Sequence, residues 1–316
     1  MIKEQIEKDE QSKNYDKWSD LERALGEYVQ EICEESYEDF KRDKMKLDSI
    51  LVEYIRQERE EVVFDDINLG QFVIKKLHEA LTWEKLDNKK LIEQCIEESR
   101  GKFICYRAIN FNYTNCFEHF FELAKDNQPE NIYRLANGET YKEYIEEVLH
   151  IHGTLDDGEM ILGVNDETQI KNIKLLELTD VRELLIKSNL NVGLEQGKIE
   201  RAKEIIDTSD IICLYGLSLG DTDKMWWEYI MEWLEKSYCR VLIIFVYDSE
   251  YKGDHIYLSN SYKKNVKEKF LKQAGGQYYS TNKKEMLKRQ MIIGINKNIF
   301  KIDLRAANRC NTVLEI

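Results

Sequence analysis

Asp210-Ile211-Ile212-Cys213-Leu214-Tyr215, then Trp226-Trp227 with Ile230, Met231 and Leu234, then Val241-Leu242-Ile243-Ile244-Phe245-Val246-Tyr247 follow one another along the chain. The first and third are short, continuous apolar runs rich in β-branched residues. Such runs form strands covered on both faces. The middle segment repeats apolar residues three and four apart, which is a helical period. A strand, a helix and a strand in that order make a crossover unit with parallel strands. The fold class read from this stretch is α/β.

The same texture extends upstream to residue 103. Phe103-Ile104-Cys105-Tyr106-Arg107-Ala108-Ile109-Asn110-Phe111 reads as a strand, and a helix follows through Cys116, Phe117, Phe120 and Phe121. Val148 to Gly153 reads as a second short strand ending in a turn, and Met160 to Val164 as a third. Strands alternating with helices predict a parallel sheet with helices on both faces. Residues 1 to about 100 read as helices. Trp18, Leu21 and Leu25 share one helical face, with Ser19 and Glu22 at capping-box spacing, and Leu47, Ile50, Leu51, Tyr54 and Ile55 repeat the period. Phe72, Ile74, Leu77 and Leu81 do so more loosely. The expected organisation is a helical subdomain over 1–101 and an α/β domain over 102–316. Lys283 to Ile316 is mixed in character and carries no assigned role.

Composition narrows the function. The 316 residues carry a formal charge of −14, which disfavours broad binding to phosphate backbones. No apolar run reaches the roughly 20 residues that cross a bilayer, and the first residues lack the apolar core of a signal peptide. A cytoplasmic protein without membrane or nucleic-acid partners is expected; the acidic charge and long helices are compatible with a homo-oligomer. The seven cysteines stand at 33, 95, 105, 116, 213, 239 and 310, with no CxxC pair. They read as reduced thiols, mostly buried, and not as a zinc site.

Three constellations can carry chemistry. Asn110-Phe111-Asn112-Tyr113-Thr114-Asn115 follows a strand directly, where doubly wound sheets bind ligands, but it also suits an Asn-rich helix cap. His152-Gly153-Thr154 ends another strand; a histidine titrates near neutrality and can act as a base. His150 and His152 would share a face of that strand, yet no third ligand stands at metal-binding spacing, so no metal is expected. Tyr215-Gly216-Leu217-Ser218-Leu219-Gly220-Asp221 ends the apolar strand quoted first. Glycines there let a backbone approach a phosphate at the next helix N-terminus. The string also spells G-x-S-x-G, which would make Ser218 a nucleophile with Asp248 and His255 downstream.

The three strings in this order resemble the AbiH family of bacterial abortive-infection proteins, as do Ile161-Leu162-Gly163-Val164, Thr222-Asp223-Lys224 and the Trp18 segment. The resemblance spans roughly residues 15 to 250. The same strings resemble, more distantly, a sirtuin core, which implies a Rossmann-type parallel sheet. On that resemblance Asn112 falls where sirtuins carry the asparagine that orders water and ribose. Thr114 replaces their usual aspartate, and His152 with Gly153 falls at the catalytic histidine. Gly216 and Ser218 fall at the turn that meets the adenosine half of NAD, with Asp221 next to it.

The resemblance implies a phage-defence effector that binds and cleaves NAD or a related nucleotide. His152 would be the base, Asn112 would position water, and a phage protein would be the trigger. The family usually opens with a strand and a G-N-G-F-D turn, whereas the first glycine here is Gly26, inside a helical pattern. That departure opens two alternatives: a non-enzymatic nucleotide sensor, or a truncated, inactive copy. A serine hydrolase using Ser218 is the third reading.

Overall fold

The computed structural model describes residues 22, 25, 26, 29, 32, 36–60, 67–83, 85–99, 101, 103–126, 131–156, 160–178, 180–193, 197–249, 251, 256–297, 302–303 and 313–314. Three helices come first: α1 (Tyr37–Glu60), α2 (Ile67–Leu81) and α3 (Leu86–Glu98). Strand β1 (Phe103–Asn110) and α4 (Cys116–Asp126) follow, then β2 (Asn131–Arg134) and β3 (Thr140–His150). Next come α5 (Val181–Leu185), α6 (Lys187–Gly193), α7 (Lys198–Asp207) and β4 (Ile211–Leu214). The chain continues through α8 (Lys224–Glu235), β5 (Val241–Val246), α9 (Ile256–Gln273), α10 (Thr281–Arg289) and β6 (Met291–Ile295). Two-residue strands β7 (Ile302–Asp303) and β8 (Val313–Leu314) pair antiparallel. No helix among the described residues is long and apolar enough to cross a membrane.

The protein is α/β, as the crossover stretch predicts. Strands β1 to β6 form two small sheets. One has the order β4-β5-β6 and is parallel throughout. The other has the order β1-β3-β2, with β1 parallel and β2 antiparallel to β3. The apolar run over 241–246 leaves five of its six residues buried, because helices cover both its faces. On one face Ile92, Cys95 and Ile96 of α3 pack against Val241, Ile243 and Phe245. On the other, Trp226, Trp227, Ile230, Met231 and Leu234 of α8 and Phe270 of α9 pack against Leu242 and Ile244.

Several expectations are corrected by packing. In α1, Leu51 and Ile55 are buried, but Ile50 and Tyr54 face solvent, so the apolar stripe is narrower than the period suggests. Leu77 and Leu81 of α2 are buried as expected. Leu25 is helical and buried, while Trp18, Ser19 and Leu21 lie outside the described residues. Of the four described thiols only Cys95 is buried and Cys213 is exposed, so the cysteines do not serve generally as core residues. The second strand stops at His150, so His150 and His152 do not share a strand face.

Residues 160–164 are no sheet strand either. Residues 161–164 are buried, but among the described residues they make only one bridge, Val164 to Ile186. Val164 N–H donates to Leu185 O at 2.8 Å, and Lys187 N–H donates to Val164 O at 3.0 Å. An isolated apolar run satisfies a strand pattern, yet here its backbone bonds the α5–α6 corner at Val164 and His152 O through Ile161 N–H at 2.9 Å. Gly163 is required by that approach: a Cβ there would stand 2.3 Å from Leu185 O. A second tie joins α2 to the sheet. The buried Glu143 carboxylate of β3 accepts from Tyr106 Oη at 2.5 Å and lies 3.1 Å from His78 Nδ1. That hydrogen bond raises the His78 pKa; burial opposes the rise, and the charges of Glu143 and Glu79 add to it.

Gly163→Ala is expected to destabilise the fold by about 1–3 kcal/mol, read as a lower unfolding midpoint in urea. The His78 contact has a definite pH sense. A folded pKa above the unfolded value of about 6.5 stabilises below that pH and loses its contribution as pH rises through the folded pKa. The thermal midpoint of the wild type should therefore exceed that of His78→Gln by more at pH 6 than at pH 9.

Candidate functional site

Five parts of the chain converge where β1 and β3 end. Phe111 and Tyr113 follow β1, and His152 stands two residues past β3. Lys187 opens α6, held there by the Val164 bridge. Thr222 and Asp223 form the short 3-10 turn before α8. Glu22 comes from the N-terminal segment. His152 Nε2 lies 3.1 Å from Asp223 Oδ1, and Lys187 Nζ donates to the same oxygen at 2.9 Å. Lys187 Nζ also donates to Glu22 at 2.9 Å, and the Thr222 side chain hydrogen-bonds Glu22. Glu22, His152, Thr222 and Lys187 are all buried. The His152 ring meets Phe111 edge-on at 5.4 Å and Tyr113 at 6.3 Å, and the Tyr113 hydroxyl donates to Ile161 O at 3.0 Å.

Burial costs a charged group several kcal/mol unless a counter-charge is close. One lysine serves two carboxylates here, so they cannot be compensated equally. Burial pushes Asp223 toward the neutral form, but Lys187 and the His152 hydrogen bond outweigh it, and the Asp223 carboxyl is held well below its usual range. Glu22 goes the other way: burial raises its pKa, the Asp223 charge adds to the rise, and Lys187 only partly offsets it. Lys187 itself is pushed down by burial and up by the two carboxylates, with a net rise. Burial lowers the His152 pKa, Lys187 lowers it further, and the Asp223 contact resists. His152 is therefore a neutral imidazole at physiological pH. Its Nε2 faces a charged carboxylate, which fits Nε2–H as the donor, and its buried Nδ1 has no hydrogen-bond partner among the described residues.

His152, Asn165, Lys187, Ser188, Thr222, Asp223, Met225 and Trp226 line a cavity of about 10 Å³, enough for one water molecule. Asn165 is fixed by accepting from Met225 N–H at 2.9 Å and donating to Asp166 Oδ2 at 2.5 Å. A neutral imidazole beside a water-sized, partly polar cavity can accept a proton from a hydroxyl or a water.

The residues singled out from sequence are distributed unevenly around this cavity. His152 is at its centre. Gly153 follows it with φ 74°, a left-handed turn that redirects the chain from the strand end toward Thr154. Asn112 is exposed, with its amide held by Asn110 Oδ1 at 3.0 Å and its carbonyl 3.4 Å from His150 Nδ1. Thr114 O accepts from Asn110 Nδ2 at 3.4 Å, so Asn110 is the buried amide of this turn. Gly216 is exposed with φ 65°, and Ser218 is exposed with its carbonyl bonded to Lys269 Nζ. Asp221 opens the 3-10 turn and is exposed. His150 pairs with Glu118 of α4 at 3.0 Å and not with His152. Asp248 is tied through its backbone to Asn296, while His255 lies outside the described residues. Glu22, Asp223, Lys187 and Asn165 were not singled out by sequence reasoning. Asp223 and Glu22 did stand inside quoted strings, whereas nothing local marks Lys187.

Fold and site together define a class: an α/β protein in which a buried histidine, held by an ionised aspartate and a shared lysine, lines a closed cavity at the ends of parallel strands. The sequence model of the bacteriophage abortive infection AbiH family matches residues 1–245, and the chain belongs to that family. Comparison with curated proteins and with solved structures returns no match to either.

Lys187→Met is expected to cost about 3–5 kcal/mol, because it leaves Asp223 and Glu22 buried without a cation. Denaturant unfolding checks the cost. In the same variant the His152 imidazole should titrate higher in NMR, since a repelling charge has gone.

Proposed function

We infer that the protein acts in phage abortive infection, as membership of the AbiH family implies. Within that role, we propose that the protein binds NAD or a related nucleotide at the His152 cavity and cleaves it at the glycosidic bond. The observation that carries the reading is the state of His152: buried, neutral at physiological pH, and bordering a cavity the size of one water. In such a cleavage the leaving base departs through an oxocarbenium-like state, and a positioned base takes a proton from the attacking water or ribose hydroxyl. Asp223 orients the imidazole and stabilises the imidazolium that forms. Asn165, beside the same cavity, adds a second polar group for the attacking water. In the distant sirtuin resemblance Asn112 has that task, with Thr114, Gly153, Gly216, Ser218 and Asp221 along the nucleotide; the exposed Gly216–Ser218 loop is accessible to one.

A second reading, a nucleotide sensor without turnover, draws on the cavity's size. Small-molecule sites commonly measure about 300–1,000 Å³, so a dinucleotide must move the walls here, and wall movement is what a sensor transmits.

Purified protein incubated with NAD decides between them. Nicotinamide release that falls on the order of 10²- to 10⁴-fold in His152→Ala supports cleavage. Binding by calorimetry without release supports the sensor. Neither binding nor release, for NAD and for a panel of nucleoside diphosphates and triphosphates, overturns both.

A further inference from the structure

Charge is distributed unevenly along this chain. Between residues 256 and 289 stand nine lysine and arginine residues and two glutamates, a net charge of +7, while the whole chain carries −14. The basic stretch comprises α9, the turn after it and α10. The two helices are tied side by side. Lys267 Nζ donates to Lys288 O at 2.6 Å, and Lys288 Nζ donates to Glu268 at 2.5 Å. Lys288 Nζ also donates to Glu285 at 2.7 Å, so one buried lysine occupies both glutamates of the stretch. Lys283 pairs with Glu235 outside it. Among the described residues no carboxylate pairs with Lys263, Lys264, Lys269, Lys272, Lys284 or Arg289.

These cations face outward. Lys264, Lys269, Lys272 and Arg289 are exposed, and Lys263 and Lys284 are half-buried. Tyr257, Lys264, Glu268 and Lys272 recur at helical spacing and form one exposed stripe of α9, opposite the buried Phe270. The helix has 18 residues, about 27 Å of length. Tyr257 in its first turn is 80% exposed, and Tyr278 in the turn after it is 88% exposed. An open phenol ring therefore stands toward each end of a row of cations that carboxylates leave uncompensated.

We propose that the α9–α10 surface binds single-stranded nucleic acid, with Lys264, Lys272 and Arg289 on its phosphates and bases stacked on Tyr257 and Tyr278. The total of −14 argues against a nucleic-acid partner for the surface as a whole. Exposed charges, however, act over about 8 Å at physiological salt, so the local sign governs what this ridge attracts. Cations interleaved with open aromatic rings suit unpaired bases, because every base has a face to stack. A duplex keeps its base faces inside the stack. An acidic peptide satisfies the lysines but gives the two tyrosines no base to stack on. The tyrosines thus favour the single strand over either.

Fluorescence anisotropy on the full chain tests this. The probe is a labelled thymidine strand of about 12 nucleotides, within the range of about 4–16 that single-strand sites cover. The controls are a duplex of the same length and polyglutamate of equal charge. The logarithm of the binding constant should fall with the logarithm of salt concentration, with a slope of about −3 to −4 for five or so phosphate contacts. Lys264→Gln, Lys272→Gln and Arg289→Gln together should reduce that slope by about 2. Tyr257→Ala and Tyr278→Ala should each weaken binding by about 5- to 150-fold with the slope unchanged, and Tyr278→Phe, which keeps the ring, should bind as the wild type does. All five positions are exposed, so the thermal midpoint should not move in any variant. Four results overturn the proposal: no binding at low salt, a slope unaffected by the triple substitution, alanine variants that bind as tightly as the wild type, or equal binding of the duplex or of polyglutamate. The last would assign the ridge to an acidic protein. Nucleotide turnover enters none of these readouts, so the basic ridge and the cleavage reading stand or fall separately.

Discussion

The site depends on Lys187, one buried ammonium shared by two carboxylates. A single cation can compensate one buried anion well and a second only in part. Asp223 takes the full benefit because it also holds the His152 N–H; Glu22 is left with the raised pKa. Lys187 also repels a proton from His152, adding to the burial that keeps the ring neutral against the pull of Asp223. It also ties together residues 22, 152, 187 and 223, which have no other reason to meet. Separating any of them from the cluster strands a buried charge, so the N-terminal segment is held to the α/β body by electrostatics as well as by Leu25 and its neighbours.

Lys187 is placed by backbone geometry. The 160–164 segment turns away from the sheets and clasps the α5–α6 corner through Val164, and Gly163 lets the two backbones approach. The apolar run thus serves as a bracket for a lysine. The two-sheet arrangement has a similar logic. Apolar clusters on both faces take residues from β1 and from β4, while among the described residues no strand pairs with both, so apolar burial joins the two sheets where no ladder does. Burial is non-directional and does not require the strands to pair.

Much of this was legible residue by residue. The 211–214 and 241–246 runs and the tryptophan helix between them follow from apolar period alone, as do β1 and α4. The AbiH strings marked His152 correctly as a residue at a strand end. The reading failed where an apolar run had to be told apart by its partners. Residues 160–164 have strand composition but bond to a helix corner, and the His150-Ile151-His152 alternation continues past the last ladder bond. Ile50 and Tyr54 fit the helical period, but both are exposed.

The sequence by itself determined the class of fold, the strand–helix–strand unit over 211–246 and the family, because periodicity and ordered motifs are local properties of the chain. Only the tertiary structure decided which charges meet. Lys187 and Asn165 sit in no recognisable motif. Glu22 lies 165 positions from the lysine that it pairs with. Such a pairing arises from burial and distance in three dimensions, and no spacing along the chain encodes either.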